Sequence, residues 1–337
     1  MRRRPTRRDA LAAGAALAAT TLLGAAPARA SLLVASAADG LHDPGPGQWD
    51  RPPRTAAVLA ALARDEFRAL ARAEAPPVAL DDLLRVHAPE LVAQLEKAAP
   101  REGLTALSRD LVLSPGSLEA ARCGAGGACL AVDRVMAGAA KNAFVAARPP
   151  GHHATRAQAM GFCLFNNAAI AVRRALAAHG AERVAIIDFD VHHGNGTQEI
   201  FWAEKNVLYC STHQTPLYPG TGAASETGAF DTIVNAPLAK GDGGERFRAA
   251  LTERVLPRLD AFASDFVIVS AGFDARLHDP LGGLRLLEED FREATLRIME
   301  IAARRCRGRI VSLLEGGYRP DDLAACVAAH VGALMEA

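Results

Sequence analysis

The sequence predicts an α/β fold: a single domain with a central, mostly parallel sheet flanked by helices. Three observations carry that expectation. Short apolar runs rich in Val and Ile recur along the chain without polar alternation, the mark of strands buried on both faces. Stretches of helical periodicity separate those runs. No linker or internal repeat divides the 337 residues, half of which are hydrophobic, so one large core can form.

Residues 1–30 stand apart from that fold. Arg2 to Arg4 and Arg7-Arg8 form a basic head, residues 10–26 a mild apolar stretch, and Ala28-Arg29-Ala30 a small-residue cleavage site. The paired arginines resemble a twin-arginine export signal, which predicts a periplasmic or secreted chain, cut after Ala30 and without a membrane span. The fold and chemistry of the mature chain must then reside in residues 31–337. Without the leader, 32 basic residues face 37 acidic ones, a net of −5, which argues against recognition of nucleic acid through phosphates. The six cysteines lack zinc-knuckle spacing, and Cys163 and Cys210 lie within apolar runs, as buried thiols do.

In chain order, residues 31–35 read as a first strand and residues 40–53 as a Pro- and Gly-rich loop. Val58, Leu59, Leu62, Phe67 and Leu70 give residues 54–74 one helical face, stopped by Pro76-Pro77. Further helices are expected at 89–98 and at 117–138, the latter packed with Ala and Gly. Apolar runs at 143–147, 184–189, 207–210, 266–271 and 309–314 then alternate with helical stretches at 167–179, 245–263, 288–305 and 320–336.

Nearly every polar cluster with catalytic potential directly follows one of these runs. His152-His153 follow the first, Asp190 and His192 the second, Ser211 to His213 the third, Asp274 the fourth and Glu315 to Tyr318 the fifth. In a parallel sheet they meet at one rim, where the carboxyl ends of the strands bind ligands. Asp190, His192 and Asp274 supply the three protein ligands of a catalytic zinc that keeps an open position. His152 and His153 are adjacent imidazoles suited to general acid and base work. Asp188 and Asn195 are candidates to fix their tautomers from behind, and Tyr318 can hydrogen-bond a developing oxyanion. Together these residues describe attack of water on an amide or ester carbonyl.

Residues 148–153 (Arg-Pro-Pro-Gly-His-His), 161–167 (Gly-Phe-Cys-Leu-Phe-Asn-Asn), 188–198, 217–222 (Leu-Tyr-Pro-Gly-Thr-Gly), 271–274 with 279–283, and 315–318 (Glu-Gly-Gly-Tyr) resemble, in order and spacing, the zinc-dependent histone deacetylase family, particularly its class II and bacterial members. The resemblance implies an arginase/deacetylase-like fold and one zinc per chain at Asp190, His192 and Asp274. It also implies the His152/His153 pair as acid and base, and Tyr318 as donor to the carbonyl. It places Gly161 and Phe162 along a narrow acyl channel, and Asp110 at a contact with the substrate backbone. A structural potassium would sit at Asp188, the backbone around Asp190 and His192, and Ser211, with Arg54 in an internal acetate-release region. The chain departs from the family in reading Gln48-Trp49-Asp50-Arg51-Pro52 in its first loop and in carrying Asn195 where other members have Asp.

The implied activity is removal of acetyl or other acyl groups from lysine side chains or similar amides. An acetylpolyamine amidohydrolase is the alternative, but that branch of the family carries an acidic gatekeeper where this chain has Leu281. A binuclear manganese ureohydrolase needs a further ligand where Gly194 stands, and a non-catalytic reader of acyl chains would lack a ligand or Tyr318.

Overall fold

The computed structural model describes residues 30–336, so the expected export leader lies outside the described residues apart from Ala30. Among the described residues, ten strands and ten α-helices run in the order β1 (Leu32–Ala35), α1 (Pro53–Ala61), β2 (Ala71–Glu74), α2 (Leu80–Leu84), α3 (Pro89–Ala98), β3 (Thr105–Ser108), β4 (Leu111–Leu113), α4 (Ser117–Met136), β5 (Ala143–Ala146) and α5 (Asn167–His179). They continue with β6 (Val184–Asp188), α6 (Asn195–Phe201), β7 (Val207–Gln214), β8 (Ile233–Leu238), α7 (Gly244–Ala250), α8 (Leu256–Phe262), β9 (Phe266–Ala271), α9 (Glu288–Cys306), β10 (Ile310–Leu314) and α10 (Pro320–Glu336). Eight strands form one sheet in the order β2-β1-β5-β10-β9-β6-β7-β8, every neighbouring pair parallel.

The unalternating apolar runs follow from that arrangement. Along β6, Ala185 and Ile187 pack into the core on one face while Val184 and Ile186 pack into the core on the other. The first core takes side chains from α1 and α7 to α10, the second from α2 to α6. Helix α5 begins where the Asn166 side chain accepts from the Ala169 amide at 2.9 Å and ends on Gly180 in the left-handed region, a common pairing of start and stop signals. No helix among the described residues is long and apolar enough to cross a membrane. All six cysteines are buried thiols.

The short elements α2, β3, β4, α6 and β8 were not expected from the sequence, and one expected helix is divided. The single helix read over 54–74 is instead α1, a short 3-10 helix at Asp65–Phe67, and the edge strand β2. Strand β2 carries Ala-Arg-Ala-Glu, with no apolar face to betray it, and owes its conformation to backbone pairing with β1. The helix over 245–263 is present as α7 and α8 joined by a π turn at Leu251–Val255.

Two histidines outside the ligand cluster are held neutral in the core. His330 stands between Thr295 Oγ1 at 2.6 Å and Ser312 Oγ at 2.8 Å, and burial pushes its pKa down to about 3. His87 donates from Nδ1 to the Thr155 carbonyl and accepts from the Asn166 amide at Nε2, and burial brings it to about 4. Below the ordinary imidazole value of 6.5 the unfolded chain binds protons that the folded chain refuses. Stability must therefore fall as pH drops from 6.5 toward 4, by at most about 1.4 kcal/mol per pH unit for each histidine. Melting temperatures measured between pH 7.5 and pH 5 are expected to decline, and His330→Asn to decline less steeply over the same range.

Candidate active site

The rim at the carboxyl ends of the central strands gathers the expected residues. Strand β6 ends in Asp188, and the segment after it carries Asp190, His192 and Asn195; β9 leads to Asp274, β10 to Glu315 and Tyr318, and β5 to His152 and His153. One ligand atom from each of Asp190, His192 and Asp274 lies within 4.8 Å of the others, and all three side chains are buried. His192 Nδ1 is 3.1 Å from Asp190 Oδ1 and 3.0 Å from Asp274 Oδ2. Backbone amides orient both carboxylates: Gly316 donates to Asp190 Oδ2 and Val191 to Asp274 Oδ1, each at 2.8 Å. Gly316 is required there, because a Cβ would fall 2.1 Å from Asp274 Oδ2.

This donor set fits a divalent cation. Burial and the neighbouring Asp190 charge push Asp274 up to about 6. Burial opposes protonation of His192, but its bonds to Asp190 and Asp274 lift it to about 10, so a proton is drawn in between the two carboxylates. A metal ion takes the place of such a proton. Two carboxylates and one imidazole match the oxygen and nitrogen ligands of a zinc site.

The two adjacent histidines are tuned in opposite directions. His152 donates from Nδ1 to Asp188 Oδ2 at 3.1 Å; burial works against its charge, but Asp190, Asp188 and Glu315 hold its pKa well above the ordinary value. His153 donates from Nδ1 to the neutral Asn195 Oδ1 at 2.8 Å. Burial, then the positive charges of His152 and His192, drive it well below the ordinary value. Their ring centroids are 4.1 Å apart, so one is a cation and the other a free base within contact distance.

Four groups that sequence reasoning left without a role, Glu315, Asp50, Arg148 and Asp279, set this geometry. Glu315, fully buried, accepts from the amides of Gly151 at 2.7 Å and His152 at 3.2 Å, and from Ser270 Oγ, so the strand β10 end carries the double-histidine loop. Asp50 accepts from both Arg54 and Arg148 beneath the rim. Arg54 in turn donates to the carbonyls of Gly317 at 2.6 Å and Glu315 at 2.5 Å, and its guanidinium lies 4.9 Å from the Tyr318 ring centre. Asp279 completes the grip on Tyr318 by accepting from its amide at 2.8 Å. The signal for Arg148 and Glu315 in the sequence was a charge set directly after an apolar run, whereas Asp50, in the irregular loop 40–53, carried none.

Above these residues opens a cavity of about 460 Å³. His153, His192 and Tyr318 form its floor, and all four expected channel residues (Gly161, Phe162, Leu281 and Asp110) line it. Gly161 has φ +56°, and a Cβ there would lie 2.4 Å from His153 Cδ2. Phe162 meets Tyr318 edge-on at 5.8 Å, and opposite it Tyr218, also without a role from the sequence, stands edge-on to His153 at 5.0 Å. Ser211 is buried in β7 directly opposite Asp188 in the sheet register. His193 and His213 pack against each other at 4.8 Å, bonded to Thr221, Gln198, Ser211 and the Gly222 carbonyl, outside the ligand cluster.

Residues 48–334 match the histone deacetylase domain model. The chain belongs to the histone deacetylase family. A histone deacetylase-like amidohydrolase of Pseudomonas aeruginosa is 44% identical over 248 residues, which cover 72% of this chain and 65% of that protein. The chain thus spans slightly less than two thirds of that relative's length. A probable deacetylase of Archaeoglobus fulgidus is 38% identical over 283 residues, covering 82% of this chain and 78% of the relative. Among solved structures, the crystal structure of the HDA15 HD domain aligns with TM-score 0.86 at 36% identity, over 91% of this chain and 88% of that one. The arginase/deacetylase fold expected for the family is the fold observed.

The Asn195 position generates a prediction on pH dependence. Asn195→Asp places a negative charge against His153, favours its protonated form and raises its pKa. A base must be unprotonated to act, so the acidic limb of kcat/KM is expected to move to higher pH in this variant. Rate profiles of the two proteins across pH 5 to 9 measure the shift.

Proposed function

We propose that the chain is a zinc-dependent deacylase, hydrolysing acetyl or other acyl amides of lysine side chains or similar amines. The observation that carries this reading is the convergence of the Asp190–His192–Asp274 cluster and the oppositely tuned histidine pair on the floor of one narrow cavity. The family membership and the deacetylase relatives support it.

Zinc held by Asp190, His192 and Asp274 would act as a Lewis acid on the carbonyl and lower the pKa of a water to about 7. The remaining work falls to the chain's own groups. His153, its Nδ1 proton given to Asn195, keeps a lone pair on Nε2 and accepts a proton from the attacking water. His152, held positive by Asp188, offsets the negative charge that develops beside it. The Tyr318 hydroxyl, whose pKa burial keeps well above 10, stays protonated and donates to the oxyanion. Collapse breaks the C–N bond, and the proton taken by His153 passes to the leaving amine, giving a carboxylic acid and an amine; the acid's remaining proton then moves to the amine or to solvent, leaving a carboxylate. The potassium reading rests on Asp188 and Ser211 facing each other across β6 and β7 beside the backbone of Asp190 and His192.

The cavity favours acyl-lysine over acetylpolyamine. Leu281 gives its lip an apolar side chain, and Asp50, buried under Arg54 and Arg148, is out of reach of a distal ammonium. Such an ammonium would lose its water without a free carboxylate to replace it.

Acetate release from an acetyl-lysine amide by the zinc-loaded chain tests the proposal, with N-acetylputrescine as the competing substrate. The lysine amide is expected to have the higher kcat/KM. Tyr318→Phe is expected to lower turnover by on the order of 10²–10³ with zinc content unchanged. Loss of zinc from that variant would instead make Tyr318 a structural residue.

A further inference from the structure

The turn between β3 and β4 places Arg109 and Asp110 side by side on the mouth of the cavity, and the two are not equally available. Asp110 is engaged by its own chain. Its Oδ2 accepts from the Gly161 amide at 2.9 Å and from the Tyr218 hydroxyl at 3.2 Å, its Oδ1 accepts from Ser108, and its carbonyl accepts from the Phe162 amide at 3.2 Å. These bonds pull its pKa below the usual carboxylate value against burial, so it remains an ionised clasp joining three segments of the wall.

Arg109 has the opposite character. Its carbonyl is held by Gln48 Nε2 at 3.5 Å, so the backbone is pinned on both sides of the turn. Its side chain is exposed, lines the mouth, and makes no ion pair or side-chain hydrogen bond among the described residues. It is the only permanent cation among the residues lining that cavity, and Asp110, already engaged, is the only carboxylate. Leu281 leaves its side of the lip uncharged.

We infer that Arg109 is a specificity-determining residue that selects acylated amines carrying a carboxylate just outside the channel, in the form of an acidic residue next to the acyl-lysine or the free α-carboxylate of the acyl-amino acid itself. The inference rests on the deacylase reading of the same cavity. An acyl chain inserted to reach His153 and Tyr318 leaves the atoms beyond its amine stem at the mouth, where an unpartnered guanidinium offers a planar fork matched to a carboxylate. A cationic group in the same place meets the exposed Arg109 first, while the Asp110 carboxylate is turned to the Gly161 amide and the Tyr218 hydroxyl. Because the site is exposed, the preference should be modest and weakened by salt.

The test compares kcat/KM of the zinc-loaded chain on three peptides of equal length, in which acetyl-lysine is flanked by Glu, Gln or Lys, and on acetyl-lysine with a free or an amidated carboxylate. Wild type is expected to favour the Glu peptide over the Lys peptide by roughly fivefold at low salt, the ratio shrinking toward one at 0.5 M salt by about the extent that screening of an exposed pair allows. Arg109→Gln is expected to bring the ratio near one, and Arg109→Glu to reverse it. A higher kcat/KM for the free than the amidated amino acid would identify the α-carboxylate as one of the groups read. An equal rate on all three peptides, or a Glu preference that survives Arg109→Gln, overturns the inference. Failure of wild type to hydrolyse any of the three peptides overturns the deacylase reading instead.

Discussion

The structure depends on how it manages negative charge out of contact with water. Asp188, Asp190, Asp274 and Glu315 all lie within the rim of the central strands, each at most 1% exposed. An isolated carboxylate buried in this way either protonates or needs a partner, since desolvation favours the neutral acid. Burial pushes Glu315 up to about 7, with His152 pulling back and Asp188 adding to the rise. The cluster is tolerable because each member is answered by something positive or by an amide dipole: His152 beside Asp188, backbone N–H groups on Glu315, Asp190 and Asp274. A cation held by Asp190, His192 and Asp274 would complete the compensation. Function and folding thus share one electrostatic constraint.

A second layer of buried charge lies below and holds the first in place. Arg54 and Arg148 both bind Asp50 while donating to backbone carbonyls from three separate segments: Asp39 and His42 after β1, Asp50 in the following loop, and Glu315 with Gly317 after β10. Removing one member of such a set leaves its partners charged and dry, a loss of about 3–5 kcal/mol for a single pair. The network is therefore what keeps Tyr318 in place in the cavity floor. The loop that carries it comes from the part of the sequence with the least regular structure.

Much of this was legible in the sequence because two simple rules apply at the centre of a parallel sheet. Strands β5, β6, β9 and β10 are buried on both faces and read as apolar runs, and the polar residues that follow them must share a rim. Both rules weaken toward the edges. Strand β2 is exposed and polar, and β8 is interrupted by Asn235 and Pro237, so neither reads as a strand. The roles of Glu315, Asp50 and Tyr218 were not legible because they act through backbone amides, distant guanidinium groups and a neighbouring wall, contacts that span up to 263 residues of sequence for Arg54 alone and have no local pattern. The ligand cluster, by contrast, is short-range in two of its three members.

The central claim is that the charge of Asp190 and Asp274 is organised around one bound cation. Calorimetric titration of the metal-free chain with zinc, run in two buffers of different ionisation enthalpy, measures it most directly. The account predicts one zinc per chain, net release of protons on binding as the cation displaces the proton held by His192, and loss of that binding in Asp274→Ala. Two zinc ions per chain, or unchanged binding in Asp274→Ala, would contradict it.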